Sequence, residues 1–339
     1  MKDSDHFATE HMDSLSPDVS IILVNWNTRA LTLECIESVR KNTTGISYEI
    51  IVVDNASSDD SVAALKAIQG VQLILNSTNE GFAQANNRAM RIAKGRAWLL
   101  LNTDTIVLPD VIHTCYGLLL SDPLIGMVSC QLLNADRSLQ RSCAKFPRVL
   151  TPLLGRNAIH SLLPRWKKKS PRFASAYSNA EHGNLMFPNY VMGAFMLVRP
   201  EAVADCGPLD ERFFMYYEDM EWCYRFWNRG WRIAYTPEVA IIHLGGSSSR
   251  KVPELTVKRQ VASILLFWEI HMPETRNLYL LSEFIGCIIE AAILRLFFFQ
   301  RFLGSGERNY SPLLKIKILW AEILRLRQKD TVNRFVIPK

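Results

Sequence analysis

The chain has 339 residues, 48% of them hydrophobic and 21% charged. That is enough to bury a full core without metal or disulfide staples, and too apolar for a disordered protein. Length alone allows one large domain with an appendage, or two domains. The formal net charge of +6 is unevenly placed, because residues 301–339 carry nine Lys or Arg against three Asp or Glu. A second basic cluster comprises Arg165, Lys167, Lys168, Lys169 and Arg172. Basic segments beside apolar ones suit anionic lipid headgroups, or form a solvated basic face. No helix-turn-helix, zinc-finger or RNA-binding signature accompanies them, so no nucleic-acid partner is expected. The seven cysteines are scattered and form no Cys-x-x-Cys. This points to reduced thiols on a cytosolic face, and away from a disulfide framework or zinc.

Residues 1–18 are polar, lack an apolar signal region and read as a disordered tail. Residues 19–24 are a mostly apolar run and predict a first strand, followed by a turn at Asn25-Trp26-Asn27 and a helix from about Thr28. Residues 49–54 repeat the design, with a helix from about Asp59; residues 71–75 predict a third strand and residues 82–93 a helix. Residues 98–101 predict a fourth strand that runs into Asn102-Thr103-Asp104. Strands alternating with helices imply βαβ units and a mostly parallel, Rossmann-like sheet flanked by helices. The near-continuous apolar strands fit a sheet covered on both faces. Ligands of such sheets collect beyond the carboxyl ends of the strands, where Asn25, Asp54 and Asp104 stand.

Residues 131–189, rich in Pro, Ser and basic residues, read as an insertion or acceptor loop. Order returns with a strand at 190–198, a helix at 218–228 and two short strands at 233–235 and 239–243. Residues 278–303 are very apolar but interrupted by Glu283, Glu290, Arg295 and Arg301, so no uncharged run approaches the ~20 residues of a spanning helix. Three of these charges share a helical face and leave a broad apolar surface. That surface fits either a helix lying in the membrane interface or one packed on the catalytic domain or a dimer partner. The sequence does not set the oligomeric state.

Several residues have both a chemical and a structural reading. Asp54 can accept a hydrogen bond from a nucleobase N–H, or cap the turn Asp-Asn-Ala-Ser. Asp104 suits Mg2+ or Mn2+ beside a diphosphate, or turn chemistry ahead of a helix opened by Pro109 and Asp110. His243 is a second metal ligand or a structural histidine. Glu218 and Asp219 open a helix, where acids favour the positive end of its dipole; one of them can instead act as a general base. Trp26, Trp222 and Trp231 are sugar platforms or core.

The order of these signals resembles a known family. Val19-Ser-Ile-Ile-Leu-Val-Asn-Trp-Asn27, Ile51-Val-Val-Asp-Asn-Ala-Ser-Ser-Asp59, Asn79-Glu-Gly-Phe-Ala-Gln-Ala-Asn86 and Leu99-Leu-Leu-Asn-Thr-Asp104 look like the donor half of family 2 glycosyltransferases. Met192-Gly-Ala-Phe-Met-Leu-Val-Arg199, Phe214-Met-Tyr-Tyr-Glu-Asp219 and His243-Leu-Gly-Gly-Ser247 look like its acceptor half, with the bacterial rhamnosyltransferase-like branch the nearest in pattern. The resemblance implies a GT-A catalytic domain over residues 19–250, divided into a donor half (19–130), a variable acceptor loop (131–189) and a catalytic half (190–250). An apolar, basic, helical region would follow at 251–339.

It further implies roles. Asp54 would contact a uracil or thymine base, and Asn27, Asn79, Gly81, Asn86 and Asn102 would line the nucleotide-sugar pocket. Asp104 would be the second acid of an Asp-x-Asp motif, His243 a further metal ligand and Asp219 the catalytic base. Asn102 replaces the motif's first acid, Arg88 stands where the family often has Gly, and the Gln-x-x-Arg-Trp motif of processive synthases is absent. The implied reaction is inverting transfer of one sugar from a nucleotide-diphosphate donor, dTDP-L-rhamnose before a UDP-hexose, to an acceptor hydroxyl. The acceptor would be a lipid-linked saccharide of the cell envelope, and the enzyme peripheral on the cytoplasmic face of the membrane. Two rivals are a sugar-nucleotide pyrophosphorylase, whose Gly-rich basic loop is missing, and an inactive binding or scaffold protein, against which Asp104, Asp219 and His243 count.

Overall fold

The computed structural model describes residues 16–154, 177–245, 253–298 and 312–334. The basic cluster at 165–172, Arg301 and most of the tail at 1–18 lie outside them. The chain divides into two compact units.

The first unit begins with β1 (Val19–Asn25), α1 (Arg29–Asn42), β2 (Tyr48–Asp54), α2 (Ser61–Lys66), β3 (Val71–Leu75), α3 (Phe82–Met90) and β4 (Ala97–Leu101). These strands pair in parallel in the order β3-β2-β1-β4. Consecutive residues Ile21, Ile22 and Leu23 are all fully buried, so β1 is covered on both faces. The register sets Asn25 opposite Asp54, which brings the two polar strand ends to one level.

The chain continues through β5 (Thr105–Val107), α4 (Val111–Ser121), β6 (Ile125–Leu133), β7 (Leu139–Gln140) and β8 (Cys143–Ala144), and, in the second unit, α5 (Thr151–Leu154). It then returns to the first unit as β9 (Tyr190–Val191), β10 (Phe195–Val198), α6 (Pro200–Cys206), α7 (Glu218–Asn228) and β11 (Arg232–His243). β10 joins the sheet antiparallel to both β4 and β6; β11 runs parallel to β6 and antiparallel to β5. The large sheet is thus mostly parallel with antiparallel joints, and β8 and β9 make a separate ribbon.

Two elements differ from expectation. The strand expected over 190–198 is split into β9 and β10, which belong to different sheets, by Met192-Gly193-Ala194. The two strands expected at 233–235 and 239–243 are one strand, β11, with a register irregularity between Thr236 and Ala240. Pro237 falls inside that irregularity and has no N–H to give the ladder, which explains a bulge there without ending the strand.

The described residues of the second unit are 146–154 and the helices α8 (Pro253–His271), α9 (Pro273–Phe298) and α10 (Pro312–Arg334). The expected acceptor loop is therefore divided: its start at 131–145 carries the end of β6, β7 and β8 in the first unit, whereas 146–154 group with the C-terminal helices, where the Ser282 hydroxyl donates to Val149 O. Trp268 stacks on Tyr279 with centroids 4.6 Å apart. Glu283 does not sit on a wet face, as the periodicity suggested. It is buried and paired with Lys315 of α10. The exposed face of α9 carries Leu278, Leu281, Ile285, Ile288 and Ile289 instead. No helix among the described residues is long and apolar enough to cross a membrane. All seven cysteines are buried, and none of them forms a disulfide among the described residues.

Candidate active site

Asn25 organises the ends of β1 and β2. Its amide Nδ2 donates to Asp54 Oδ1 (2.7 Å) and Ser57 Oγ (3.0 Å), while its Oδ1 accepts from Thr28 (2.9 Å) and Thr32 (2.6 Å). The second Asp54 oxygen accepts the Ser57 N–H (2.9 Å), and the residue is 2% exposed. Of the two readings of Asp54, this geometry supports the turn cap, since one carboxylate oxygen holds the Ser57 N–H of the β2–α2 turn and the other is taken by the Asn25 amide. Asn27, with φ +55°, clamps the same turn: its Oδ1 accepts from Ser58 N (2.7 Å) and Asp59 N (3.2 Å). Trp26 beside it is exposed, Trp222 is core, and Trp231 donates its indole N–H to Asp205 (2.9 Å).

The loop from β3 to α3 is tied by Asn55. Its amide donates to Asn79 Oδ1 (2.9 Å) and Gly81 O (3.1 Å), and its Oδ1 accepts from Glu80 N (3.0 Å). Gly81 has φ +85° and lies against Phe214, whose carbonyl accepts the Phe82 N–H at 2.9 Å. The β3–α3 loop thus abuts the Phe-Met-Tyr-Tyr segment that leads into α7. Asn86, expected to line the pocket, is buried and turns its amide back onto Phe82 O (2.9 Å). Arg88 pairs with Glu80.

Asp104 and His243 meet because β5 and β11 are neighbours, with His243 opposite Thr105. The His243 Nε2 lies 3.4 Å from Asp104 Oδ1, at side-chain exposures of 9% and 16%. Its Nδ1 lies 2.6 Å from Gln140 Oε1. Two ligands in adjacent positions around an octahedral Mg2+-like ion stand about 3 Å apart, so an imidazole nitrogen and a carboxylate oxygen at this separation fit a shared cation. Among the described residues no group of three or more His, Cys, Asp or Glu gathers as a metal cage. A pair suits an ion that takes its other ligands from phosphate and water.

Asp219 sits in the first turn of α7. Its Oδ2 accepts the Gly193 N–H (2.8 Å) and its Oδ1 the Met220 N–H (2.7 Å). Burial raises its carboxyl above the usual range, and those two N–H groups oppose the shift by holding the ionised form. Glu218 is 7% exposed, and its Oε2 has no hydrogen-bond partner among the described residues. Burial first, then the Asp219 charge, push it up to about 8. Of the two acids, Asp219 is the one whose ionised form is held by backbone N–H groups. Tyr216 and Tyr217, just before the helix, both have left-handed φ (+74° and +65°), a local strain of the kind stored at working sites.

One hydrogen bond joins these groups: Asn102 N–H donates to Ala194 O at 3.0 Å. Asp104 lies two residues beyond one end of it, and Gly193, the Asp219 partner, next to the other. Thr103 in between meets Thr28 at 3.2 Å, which ties the β4 end to the Asn25 cluster. Sequence reasoning missed Asn55, Gln140 and Gly193. Gly193 had a signal, a glycine inside a strand pattern. Gln140 had none, because its partner lies 103 residues away.

A parallel sheet with an antiparallel insertion, and acids at its carboxyl edge, is the GT-A glycosyltransferase fold. A mannosyltransferase from Pyrobaculum calidifontis, in complex with GDP-Man and Mn2+, superposes with TM-score 0.53 at 16% identity, covering 92% of this chain and 81% of that one. GalNAc-T7 with UDP, GalNAc and Mn2+ gives TM-score 0.52 at 17% identity, covering 96% and 59%. The chain is a glycosyltransferase, and the family model for glycosyl transferase family 2 matches its residues 20–160. Its relatives include the N-acetylglucosaminyl-diphospho-decaprenol L-rhamnosyltransferase of Mycobacterium tuberculosis, 25% identical over 60% of this chain and 69% of the relative. The rhamnosyltransferase WbbL of Escherichia coli is 28% identical over 60% and 75%. The low-salt glycan biosynthesis hexosyltransferase Agl10 of Haloferax volcanii is 26% identical over 67% of each chain.

Proposed function

We propose that the protein is an inverting, metal-dependent, non-processive transferase. It moves one sugar from a nucleotide-diphosphate donor, dTDP-L-rhamnose before a UDP-hexose, to a hydroxyl of a lipid-linked saccharide. The observation that carries this reading is the Asn102–Ala194 hydrogen bond at the end of the β4–β10 pair, which links the segment leading to the Asp104–His243 pair with the one that holds Asp219. The named relatives, one acting on a decaprenyl diphosphate-linked sugar and two called rhamnosyltransferases or hexosyltransferases, support the substrate classes.

In this reading Asp104 and His243 would hold Mg2+ or Mn2+. The ion would supply Lewis-acid neutralisation of the departing diphosphate. Asn27 and Asp54 shape the turn that receives the nucleoside, and Gly81 lets the backbone of the next loop come close. Asp219 takes the proton of the acceptor hydroxyl as it attacks the anomeric carbon from the face opposite the diphosphate, so a single displacement inverts the configuration. The two backbone N–H groups on Asp219 hold its carboxylate in one orientation, leaving its remaining lone pairs for the hydroxyl. A panel of nucleotide sugars, read by thermal shift and then by the anomeric configuration of the product, tests the reading. A retained anomeric configuration, or stabilisation by no nucleotide sugar, would overturn it.

The outward apolar stripe of α9 supports a second element, attachment to an anionic membrane surface on the cytoplasmic side. Leu313, Trp320 and Leu324 of α10 are likewise exposed, with Lys317 among them. Lys315, one of the basic residues expected to face headgroups, is instead paired with Glu283. Lys317 and the basic residues near the chain end remain for that role.

A further inference from the structure

Gln140 touches neither donor nor acceptor in the mechanism above, yet its surroundings leave its amide one orientation. Its Nε2 stands 3.0 Å from Asn134 Oδ1 and 3.4 Å from the His243 backbone carbonyl. A carbonyl oxygen can only accept, so this end must be the amino group. The Asn134 amide is fixed in the same way. Its Nδ2 donates to Ser138 Oγ (2.9 Å), whose hydroxyl hydrogen is already given to Asp136 Oδ1 (2.5 Å). Asp136 is held below the usual carboxylate range by its Ser138 hydrogen bonds, so it accepts. The side-chain donors therefore run one way, from Gln140 through Asn134 and Ser138 to Asp136, and leave Gln140 Oε1 facing His243 Nδ1 at 2.6 Å.

The consequence falls on the histidine. Facing an oxygen that can only accept, Nδ1 must carry the hydrogen, and a neutral ring then has its lone pair on Nε2. Nε2 is the atom that faces Asp104 Oδ1 at 3.4 Å. Two acceptors directed at one another across that gap are satisfied when a cation lies between them. Gly245 turns the chain over the pair: its φ is +57°, and a Cβ there would lie 3.5 Å from Gln140 Nε2 and 3.8 Å from the His243 ring.

We infer that Gln140, locked by the Asn134–Ser138–Asp136 hairpin, is a positioning residue that fixes His243 in its Nδ1–H tautomer and so presents Nε2 to a divalent cation shared with Asp104. The inference rests on the metal reading of the proposed function. A hydrogen-bond partner that orients a metal-ligating histidine in this way is worth about 10–100-fold in metal affinity.

The test uses the full chain with 15N-labelled histidine. In metal-free wild type, the His243 nitrogen shifts should report a protonated Nδ1 and a bare Nε2. Titration with Mn2+ alone, followed by electron paramagnetic resonance, then gives the affinity. Gln140→Met keeps the shape and removes the acceptor; it should redistribute the tautomers and weaken Mn2+ binding about 10–100-fold. Gln140→Glu keeps the acceptor oxygen and should restore both readouts most of the way. A merely structural role would make both variants alike, or leave the tautomer untouched. Gln140→Met with wild-type tautomer and wild-type Mn2+ affinity overturns the inference while the metal reading stands. Should that variant not fold, loss of the Nδ1–H tautomer in Gln140→Glu overturns it instead. A wild type that takes up no Mn2+ overturns the metal reading, and with it the cation-presenting role.

Discussion

Gly81→Ala is the perturbation that most directly tests whether the donor-side loop and the catalytic helix work as one body. The glycine has φ +85° and ψ 178°, a region that essentially only glycine occupies. A Cβ there would lie 2.4 Å from Phe214 O and 2.9 Å from Phe214 Cδ2. Close C···O contacts settle at about 3.3 Å, so the Phe214 carbonyl would have to retreat by about 0.9 Å. The move would also stretch the Phe82–Phe214 hydrogen bond, 2.9 Å in the native protein. Holding alanine in this conformation costs about 1–3 kcal/mol and the weakened hydrogen bond about 1 kcal/mol more. The sum, about 2–4 kcal/mol, corresponds to a fall of roughly 5–15 °C in Tm for a catalytic unit of this size. Phe214 stands five residues before Asp219, and the left-handed Tyr216 and Tyr217 between them have little conformational slack. A displacement approaching 1 Å at the base costs about 10²-fold in rate. Circular dichroism melting and single-turnover transfer with the donor found by the nucleotide-sugar screen measure both effects. Melting within about 1 °C of wild type, together with turnover within about twofold, would refute the reasoning.

Asp219→Asn should lower turnover by about 10²–10⁴-fold with little change in donor affinity, whereas Glu218→Gln, which mimics an acid already holding its proton, should be mild; the reverse ranking would exchange their roles. The Glu218 carboxyl is raised from 4.5 to about 8 in the folded state, so that state binds the extra proton between those values. Stability from this group is then full below about 4.5 and lost as pH rises through about 8, and Glu218→Gln should flatten that slope in melts taken from pH 4.5 to 8.5. EDTA should silence the wild type, and Asp104→Ala should abolish turnover without a matching loss of Tm; undiminished activity in EDTA would show that the diphosphate leaves unaided by metal. The full chain should float with anionic liposomes, and a doubly charged stripe (Ile285→Glu with Ile289→Glu) should not, while its transfer to a soluble acceptor stays near normal; equal flotation would remove the membrane reading.

The donor half was legible in the sequence because its information is local. Each of β1, β2, β3 and β4 is an apolar run ending in a polar turn, and the helix at Glu218 starts where its acids lie. What could not be read is pairing at a distance. Asp104 and His243 stood out singly, but only the antiparallel joint of β5 with β11 makes them neighbours across the chain. The same holds for Gly193, which reads as a flaw in a strand until Asp219 is seen to accept its N–H. Periodicity also placed Glu283 on the wrong side of α9. Hydropathy cannot foresee that a charge will face inward when Lys315 of another helix waits for it.

The buried cysteines give the molecule its own opening clock. Burial pushes the thiols of Cys35 and Cys143 up to about 12 and that of Cys206 to about 11, so almost no thiolate is available near neutral pH in the closed protein. An alkylating reagent can then modify them only during excursions that expose them, and the labelling rate at each site becomes a meter of local unfolding. Cys35 sits under the backbone of Asn102 and would time the loosening of the strand end beside Asp104, whereas Cys287 lies in α9 and would time the helical unit by itself. Protection that rises at Cys35 on adding a nucleotide sugar, and stays level at Cys287, would trace ligand binding to one half of the chain without any assay of transfer.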